Sequence, residues 1–247
     1  MDIIEGRNPI LEALRGRRRI KRILLAKALR ESDALKEIKR IAREREIPIK
    51  VVDRKELDSI SHLKAHQGVV AYAEPLSPIS FNDFLISLKG EKEPPVVLLL
   101  DEVTDPQNLG SLMRSADAVG ASGIVITRRR SVGLTPAVVK ASAGAVEHIP
   151  LVQVGNLVYA IERLKGEGFW IIGGSTNAKD AYFEADLKGR VAFVLGSEGK
   201  GLSRLVEQRC DFLVRIPMHG KISSLNVAVA GALLMYEARR QRMVANS

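Results

Sequence analysis

The 247-residue chain has a single cysteine, Cys210, one tryptophan and four histidines. One thiol excludes an internal disulfide and any multi-cysteine metal site, and it suits a reducing compartment. Aromatic residues make up only 4%, too few for a platform that grips single strands by stacking their bases. No uninterrupted apolar run approaches the roughly 18 residues a membrane span needs. The opening stretch MDIIEGRNPI meets charge at Asp2, Glu5 and Arg7, so a signal-peptide core is not expected and a cytoplasmic location is.

What is present is a core and an excess of positive charge. Hydrophobic residues at 46% and charged residues at 27% exclude wholesale disorder. Lys and Arg number 38 against 29 Asp and Glu, a net charge of +9. That excess points to a polyanionic partner, nucleic acid or an acidic membrane surface. The charge is unevenly placed: residues 1–75 hold 18 cations and 12 anions, leaving six of the nine excess charges in the first third of the chain. Much of it lies in GRRRIKR, residues 16–22. A solvated basic loop and a nucleic-acid contact through Arg17, Arg18, Arg19, Lys21 and Arg22 are both open readings of that run. No basic amphipathic helix accompanies the charge, so a membrane partner is not expected.

Residues 1–75 have the pattern of a small α/β domain. Asn8-Pro9 resembles a helix start before PILEAL. RILLA (22–26), IKVV (49–52) and GVVAYA (68–73) have strand composition, and Leu35, Ile38, Ile41 and Ala42 recur at helical spacing. Residues 76–95, with prolines at 75, 78, 94 and 95 at or near their ends, suggest a linker. From 96 the pattern becomes regular. VVLLLD (96–101), GIVIT (123–127), HIPLV (148–152), FWIIGGS (169–175), VAFVLGS (191–197) and FLVRIP (212–217) are apolar runs separated mostly by helical segments. A long helix is expected from about 224 to 242. This is the signature of a parallel α/β sheet covered by helices, whose ligands sit beyond the carboxyl ends of the strands.

Three loops at those strand ends carry the unusual residues. In the first, Asp105-Pro106 turns the chain, Asn108-Leu109-Gly110 opens a helix, and Arg114 follows six residues after Asn108. A long cation among small and apolar residues either pairs with an acid or reaches into a site. In the second, a strand runs into Gly196, Gly199 and Gly201 with Glu198 the only acid. It is compatible with a ligand loop or with a tight turn, and it lacks the phosphate-binding glycine spacings. In the third, Ser223 and Ser224 precede the last helix, with Leu225 and Asn226 in its expected first turn. Ser224 is read there either as a plain cap or as a ligand contact.

Taken together and in this order, the loops resemble the SpoU family of RNA ribose 2′-O-methyltransferases, of the SPOUT class. Asp101, Asp105, Pro106, Asn108, Leu109, Gly110, Arg114, Ser115 and Ala116 match the first motif. Gly196, Glu198 and Gly201 match the second, and Ser224, Leu225, Asn226 and Val227 the third. IEGRNPILEAL and HQGVVA are similar to the ribosomal-protein-like substrate-binding domain of the branch that includes the 23S rRNA guanosine methyltransferases. The resemblance implies three regions: an RNA-binding domain over 1–75, the linker, and a methyltransferase domain over 96–247 with a C-terminal trefoil knot. It also implies a homodimer and bound S-adenosylmethionine. The cofactor would lie against Gly196, Gly201, Ile216 and Leu225, with Thr176 and Met218 nearby. Asn108, Arg114, Glu198, Ser224 and Asn226 would form the catalytic group. His62 and His66 have the i,i+4 spacing of a metal site, but no third ligand accompanies them and His66 falls in the HQG segment, so no metal is expected.

The implied reaction moves a methyl group from a sulfonium to a ribose hydroxyl. That hydroxyl is a poor nucleophile near neutral pH and needs a base or a field that stabilises its alkoxide. The family argument makes Arg114 the base or proton relay. An arginine does not readily give up its proton, so the preferred role is orienting a phosphate and stabilising charge at the 2′-oxygen. Two other classes compete. A non-catalytic RNA-binding protein would have lost Asn108, Arg114, Glu198, Ser224 and Asn226. A dehydrogenase would show a glycine-rich turn after its first strand, and VVLLLDEVTDPQNLG has none. The target expected is a guanosine of 23S rRNA, with transfer RNA the alternative.

Overall fold

Short alternating strands and amphipathic helices build the first unit, Met1–Ser77, in a computed structural model that describes residues 1–61, 66–197 and 199–245. Its elements are β1 (Asp2–Glu5), α1 (Arg7–Arg15), β2 (Ile20–Ala26), α2 (Asp33–Glu44), β3 (Ile49–Val52), α3 (Arg54–Ile60) and β4 (Val69–Ala73). The sheet order is β1-β4-β2-β3, with β3 parallel to β2 and the other pairs antiparallel. One face buries Ile10 and Leu14 of α1 and Leu35 and Ile38 of α2 against Ile23, Leu25 and Ala71. The other face packs Leu57 of α3 against Leu24, Val52 and Val70.

Two details differ from the sequence pattern. Helix α1 starts at Arg7 and not at Pro9, because Gly6 takes the left-handed φ of 96° that ends β1 and turns the chain. Strand β1 itself is too short for its alternation to be visible in the sequence. His66 is buried, with Nε2 2.9 Å from Asp58 Oδ1, while its Nδ1 accepts from Gly68 N at 3.0 Å. The imidazole therefore pins the entry to β4. His62 lies outside the described residues, and among the described residues no group of three His, Cys, Asp or Glu could hold a metal ion.

The second unit, Pro78–Ser247, begins with a correction. Residues 76–95 do not form a linker. They contain α4 (Phe81–Lys89), which Ser80 caps by accepting from Asp83 N at 3.1 Å. Phe81, Phe84, Leu85 and Leu88 recur at i, i+3, i+4 and i+7 and are all buried in the core. The prolines only bracket this helix. There follow β5 (Val96–Asp101), α5 (Pro106–Val119), β6 (Gly123–Thr127), α6 (Pro136–Ala141), a 3₁₀ turn (Ala145–Glu147) and β7 (Leu151–Val154). The chain continues through α7 (Leu157–Gly166), β8 (Trp170–Gly174), β9 (Asp180–Ala181), β10 (Val191–Gly196), α8 (Arg204–Glu207), β11 (Phe212–Arg215) and α9 (Val227–Ala245).

The seven strands run parallel in the order β7-β6-β5-β10-β8-β11-β9. Strand β7 starts at Leu151, three residues later than the apolar run suggests, because Ala145–Glu147 and the residues after it coil first. Helices α4 and α7 cover one face through Phe84, Leu88, Leu157 and Ile161, packed on Val97, Leu99, Val125 and Ile171. Helix α9 lies against α5 and the sheet, so close that a methyl group on Gly231 would meet Leu112 at 2.5 Å and Leu195 at 3.0 Å. Its far end is held by buried Arg242, which donates to Pro94 O at 2.6 Å and Gly189 O at 2.7 Å, the carbonyls that precede β5 and β10. Among the described residues no helix is long and apolar enough to cross a membrane.

Helix α5 approaches α6 at Gly110, where a Cβ would lie 2.4 Å from Ala141 Cβ and 2.8 Å from its carbonyl carbon. Gly110→Ala therefore forces two helices apart and should cost about 1–3 kcal/mol, seen as a lower urea midpoint with an unchanged slope. Burial behind β8 pushes the Cys210 thiol up to about 12. At pH 8 only roughly one molecule in ten thousand then carries the thiolate. Cys210 should resist an aromatic disulfide reagent in the native protein and react quickly once urea unfolds it.

Candidate functional site

Four adjacent strands of the second unit, β5, β10, β8 and β11, deliver their carboxyl ends to one edge of the sheet. The β5–β10 register sets Asp101 beside Gly196. Buried Asp101 accepts from Ser203 N at 2.8 Å, which ties the first strand-end loop to the second. The next residue, Glu102, adopts a left-handed φ of 62° and turns the chain away from the sheet. Asp105 then accepts from Gln107 N at 3.0 Å, and Pro106 occupies the first helical position of α5.

The second loop folds back onto its own strand. Gly201 N donates to Ser197 O at 3.0 Å, and a Cβ on Gly196 would sit 2.0 Å from the Gly201 carbonyl. Only glycine fits at 196, and left-handed φ values at Gly199 (83°) and Gly201 (67°) make the return possible. Glu198, expected in the catalytic group, lies outside the described residues. In the third loop, Ile216, Pro217 and Met218 are half-buried just after β11. Ser175 N donates to Val214 O at 2.9 Å, so exposed Thr176 leaves β8 alongside the exit from β11.

The third loop reaches the first through one side-chain pair. Asn226 Nδ2 donates to Asn108 Oδ1 at 2.8 Å, and Asn108 is buried in the first turn of α5. Asn226 also caps α9, its Oδ1 accepting from Ala228 N at 2.9 Å and Val229 N at 3.4 Å. This corrects the expected start of the last helix. Ser224 is exposed and three residues short of α9, and the cap is Asn226, whose amide can serve helix and neighbour together. Leu225 is half-buried next to it. Arg114 stands exposed in the third turn of α5, and among the described residues no acid pairs with its guanidinium. The ion-pair reading of Arg114 has no support among them.

The basic run of the first unit is less available than its sequence suggests. Arg18 is buried, donates to Glu74 O at 2.8 Å and pairs with Asp2, so it holds the sheet edge and is not a phosphate contact. Lys21 is 2.5 Å from Glu74 Oε1, and that hydrogen bond, with Arg19 3.9 Å away, keeps the Glu74 carboxyl below the usual range. Arg22 lies over the Tyr72 ring at 4.2 Å. Arg17, Arg19 and Arg22 remain exposed. In the second unit, Arg128, Arg129 and Arg130 leave β6 at the edge just described. No catalytic motif marks them, and their signal in the sequence is simply three consecutive arginines at the end of an apolar strand.

Comparison with known proteins places this geometry. Residues 95–236 match the SpoU rRNA methylase family, and residues 3–79 match the substrate-binding domain of RNA 2′-O ribose methyltransferases. YacO of Bacillus subtilis, assigned to the TrmH family of tRNA/rRNA methyltransferases, is 44% identical over 98% of this chain and 96% of its own length. A Staphylococcus aureus protein assigned to the same family is 42% identical over 97% and 96%. The crystal structure of the SpoU methyltransferase AviRb from Streptomyces viridochromogenes, in complex with AdoMet, aligns with a TM-score of 0.78 at 26% identity, covering 98% of this chain and 90% of its own. An AdoMet-bound rRNA methyltransferase from Sinorhizobium meliloti aligns with a TM-score of 0.75 at 27% identity, over 97% and 87%. The chain belongs to the SpoU family of RNA 2′-O-ribose methyltransferases.

Proposed function

We propose that the protein transfers a methyl group from S-adenosylmethionine to a ribose 2′-hydroxyl of structured RNA, with a guanosine of 23S rRNA as the preferred target. The observation that carries this is the Asn226–Asn108 bond. It joins the last helix to the helix bearing Arg114, at the strand edge where the glycine loop closes. Transfer RNA is the second reading, since the relatives are assigned to a tRNA/rRNA family.

The residues at this edge fit the cofactor. Half-buried Ile216, Met218 and Leu225 offer apolar surface to an adenine, and the strand end at Gly196 and the return at Gly201 offer backbone groups, with Thr176 beside them. When bound, S-adenosylmethionine supplies a methyl group already activated on a sulfonium. The protein's task is alignment and management of the hydroxyl proton. Arg114, exposed and free of an acid partner among the described residues, orients a phosphate of the substrate and stabilises negative charge as it develops on the 2′-oxygen. Asn226 acts as a positioning residue, because its amide is already engaged by Asn108 and by the start of α9. Asn108 is thereby held in one orientation. The Ser224 hydroxyl and the Glu198 carboxylate complete the group.

The same reading assigns residues 1–77 to RNA binding through Arg17, Arg19 and Arg22, and residues 78–247 to catalysis. The trefoil knot expected of the family would be drawn through the second and third loops. The reading includes a homodimer, which the apolar residues left exposed on α9 support. Val227, Leu234, Met235 and Ala238 are buried, while Val229, Tyr236 and Met243 form a stripe that stays 47–62% exposed. A second copy of the chain packed on this stripe would bury it.

Mapping 2′-O-methylated nucleotides after incubating the protein with total RNA and labelled cofactor tests the reaction and its target. Arg114→Lys keeps the charge and removes the fork geometry. It should lower kcat by about 10²–10³-fold while the heat of S-adenosylmethionine binding and the thermal midpoint stay as in the wild type. Survival of full activity would remove Arg114 from the mechanism.

A further inference from the structure

The turn at the end of β6 carries three consecutive arginines at the ligand edge, and among the described residues only Arg130 is paired with an acid, Glu102. Leu100 of β5 pairs with Ile126 of β6, so Asp101 stands level with Thr127, and Arg128–Arg130 emerge where Glu102 and the first catalytic loop emerge. The turn is tightly tied. Thr127 Oγ1 donates to Arg129 O at 2.6 Å and lies 2.8 Å from Ser131 Oγ. Arg128 N donates to Val154 O at 2.8 Å, and Val132 N donates to Val103 O at 3.0 Å. Arg130 takes a left-handed φ of 62° and pairs with Glu102 at 2.9 Å, itself at φ 62°. Two non-glycine residues held in that region mark backbone strain that local bonds maintain.

This scaffold leaves Arg128 and Arg129 exposed, with no acid paired to either among the described residues. Guanidinium groups on a fixed turn suit phosphate oxygens, which they bind through two parallel hydrogen bonds. The contrast with residues 16–22 is instructive, since there Arg18 and Lys21 are taken up by Asp2 and Glu74. We propose that Arg128 and Arg129 form a phosphate clamp on the catalytic unit, gripping the RNA backbone beside the target ribose, with Arg130 held in reserve by Glu102. This rests on the RNA methyltransferase reading for its substrate. It adds a second RNA contact, separate from the basic segment of the first unit.

The test uses the full-length chain and protein-free total RNA, with binding measured across a salt series and independent of methyl transfer. R128A/R129A should weaken binding several-fold near 100 mM salt and reduce the slope of log affinity against log salt by about 1.4–1.8, the equivalent of two phosphates. R128K/R129K should keep most of the slope. E102Q, which frees Arg130 from its acid, should increase the slope by up to about one. Heat of S-adenosylmethionine binding should be unchanged in all three. An unchanged slope in R128A/R129A overturns the clamp, and so does a loss of cofactor binding in that variant, which would assign the turn to the cofactor. Wild-type protein that binds RNA but methylates none overturns the functional reading instead, and the salt slopes still decide the clamp.

Discussion

The pairing of β5 with β10 is the contact on which the site depends. It is a parallel ladder of six residue pairs, from Val191 beside Val96 to Gly196 beside Asp101. Its register decides where two loops leave the sheet, and a slip of one residue would invert every side chain along it. Buried Asp101 converts the register into a tie between loops by accepting from Ser203 N. The glycine at 196 is a consequence of the same pairing. The strand must stop there and let its own loop cross at a distance no side chain permits. Arg242 then fixes the opposite ends of these two strands through the carbonyls of Pro94 and Gly189.

On that base the catalytic candidates are held with different degrees of rigidity. Asn108 and Asn226 are bonded to each other, and Asn226 is also bonded to the backbone of α9, so the pair has little freedom. Arg114 carries a long side chain into solvent from a helix that Gly110 packs tightly against α6. The arrangement suits chemistry in which a rigid frame orients one mobile cation toward a substrate that arrives with its own phosphates. Most charge in the first unit is arranged differently, in surface pairs such as Arg40 with Glu37 and Glu44, or Lys27 with Asp53. Such pairs add little to stability, and they lower the number of cations a polyanion can find.

Much of this was legible in the sequence, and the reasons are physical. Buried parallel strands such as VVLLLD and VAFVLG need apolar residues on both faces, so they stand out as continuous runs. The motif residues stand out because glycine, asparagine and proline at fixed offsets are demanded by turns and caps. Other features were hidden where one signal masked another. The prolines near 76–95 concealed the clean helical spacing of Phe81, Phe84, Leu85 and Leu88. Two serines before α9 drew attention from Asn226, whose amide does what a hydroxyl cannot. Arg18 reads as one more cation in a basic run, and only the fold shows that it is buried against Asp2. The three arginines after β6 were obscured by the larger charge excess at the other end of the chain.

The strand order has a consequence for how the protein reaches its folded state. The ladder at the centre of the second sheet joins residues 96–101 to residues 191–196, so its closure requires a loop of about ninety residues to be drawn together. During synthesis β5, β6 and β7 emerge early, yet the edge of β5 has no partner until β10 has left the ribosome. That edge is made of valine and leucine, and while it waits it is a template for pairing with other chains. The first unit closes over shorter spans, since its β2–β3 pairs join residues 26 apart, its β2–β4 pairs residues 44–53 apart and its β1–β4 pairs residues 65–71 apart, against 95 for β5–β10. Folding should therefore proceed in two stages, with a fast N-terminal domain and a catalytic domain that is slow and vulnerable to aggregation until its central strand arrives.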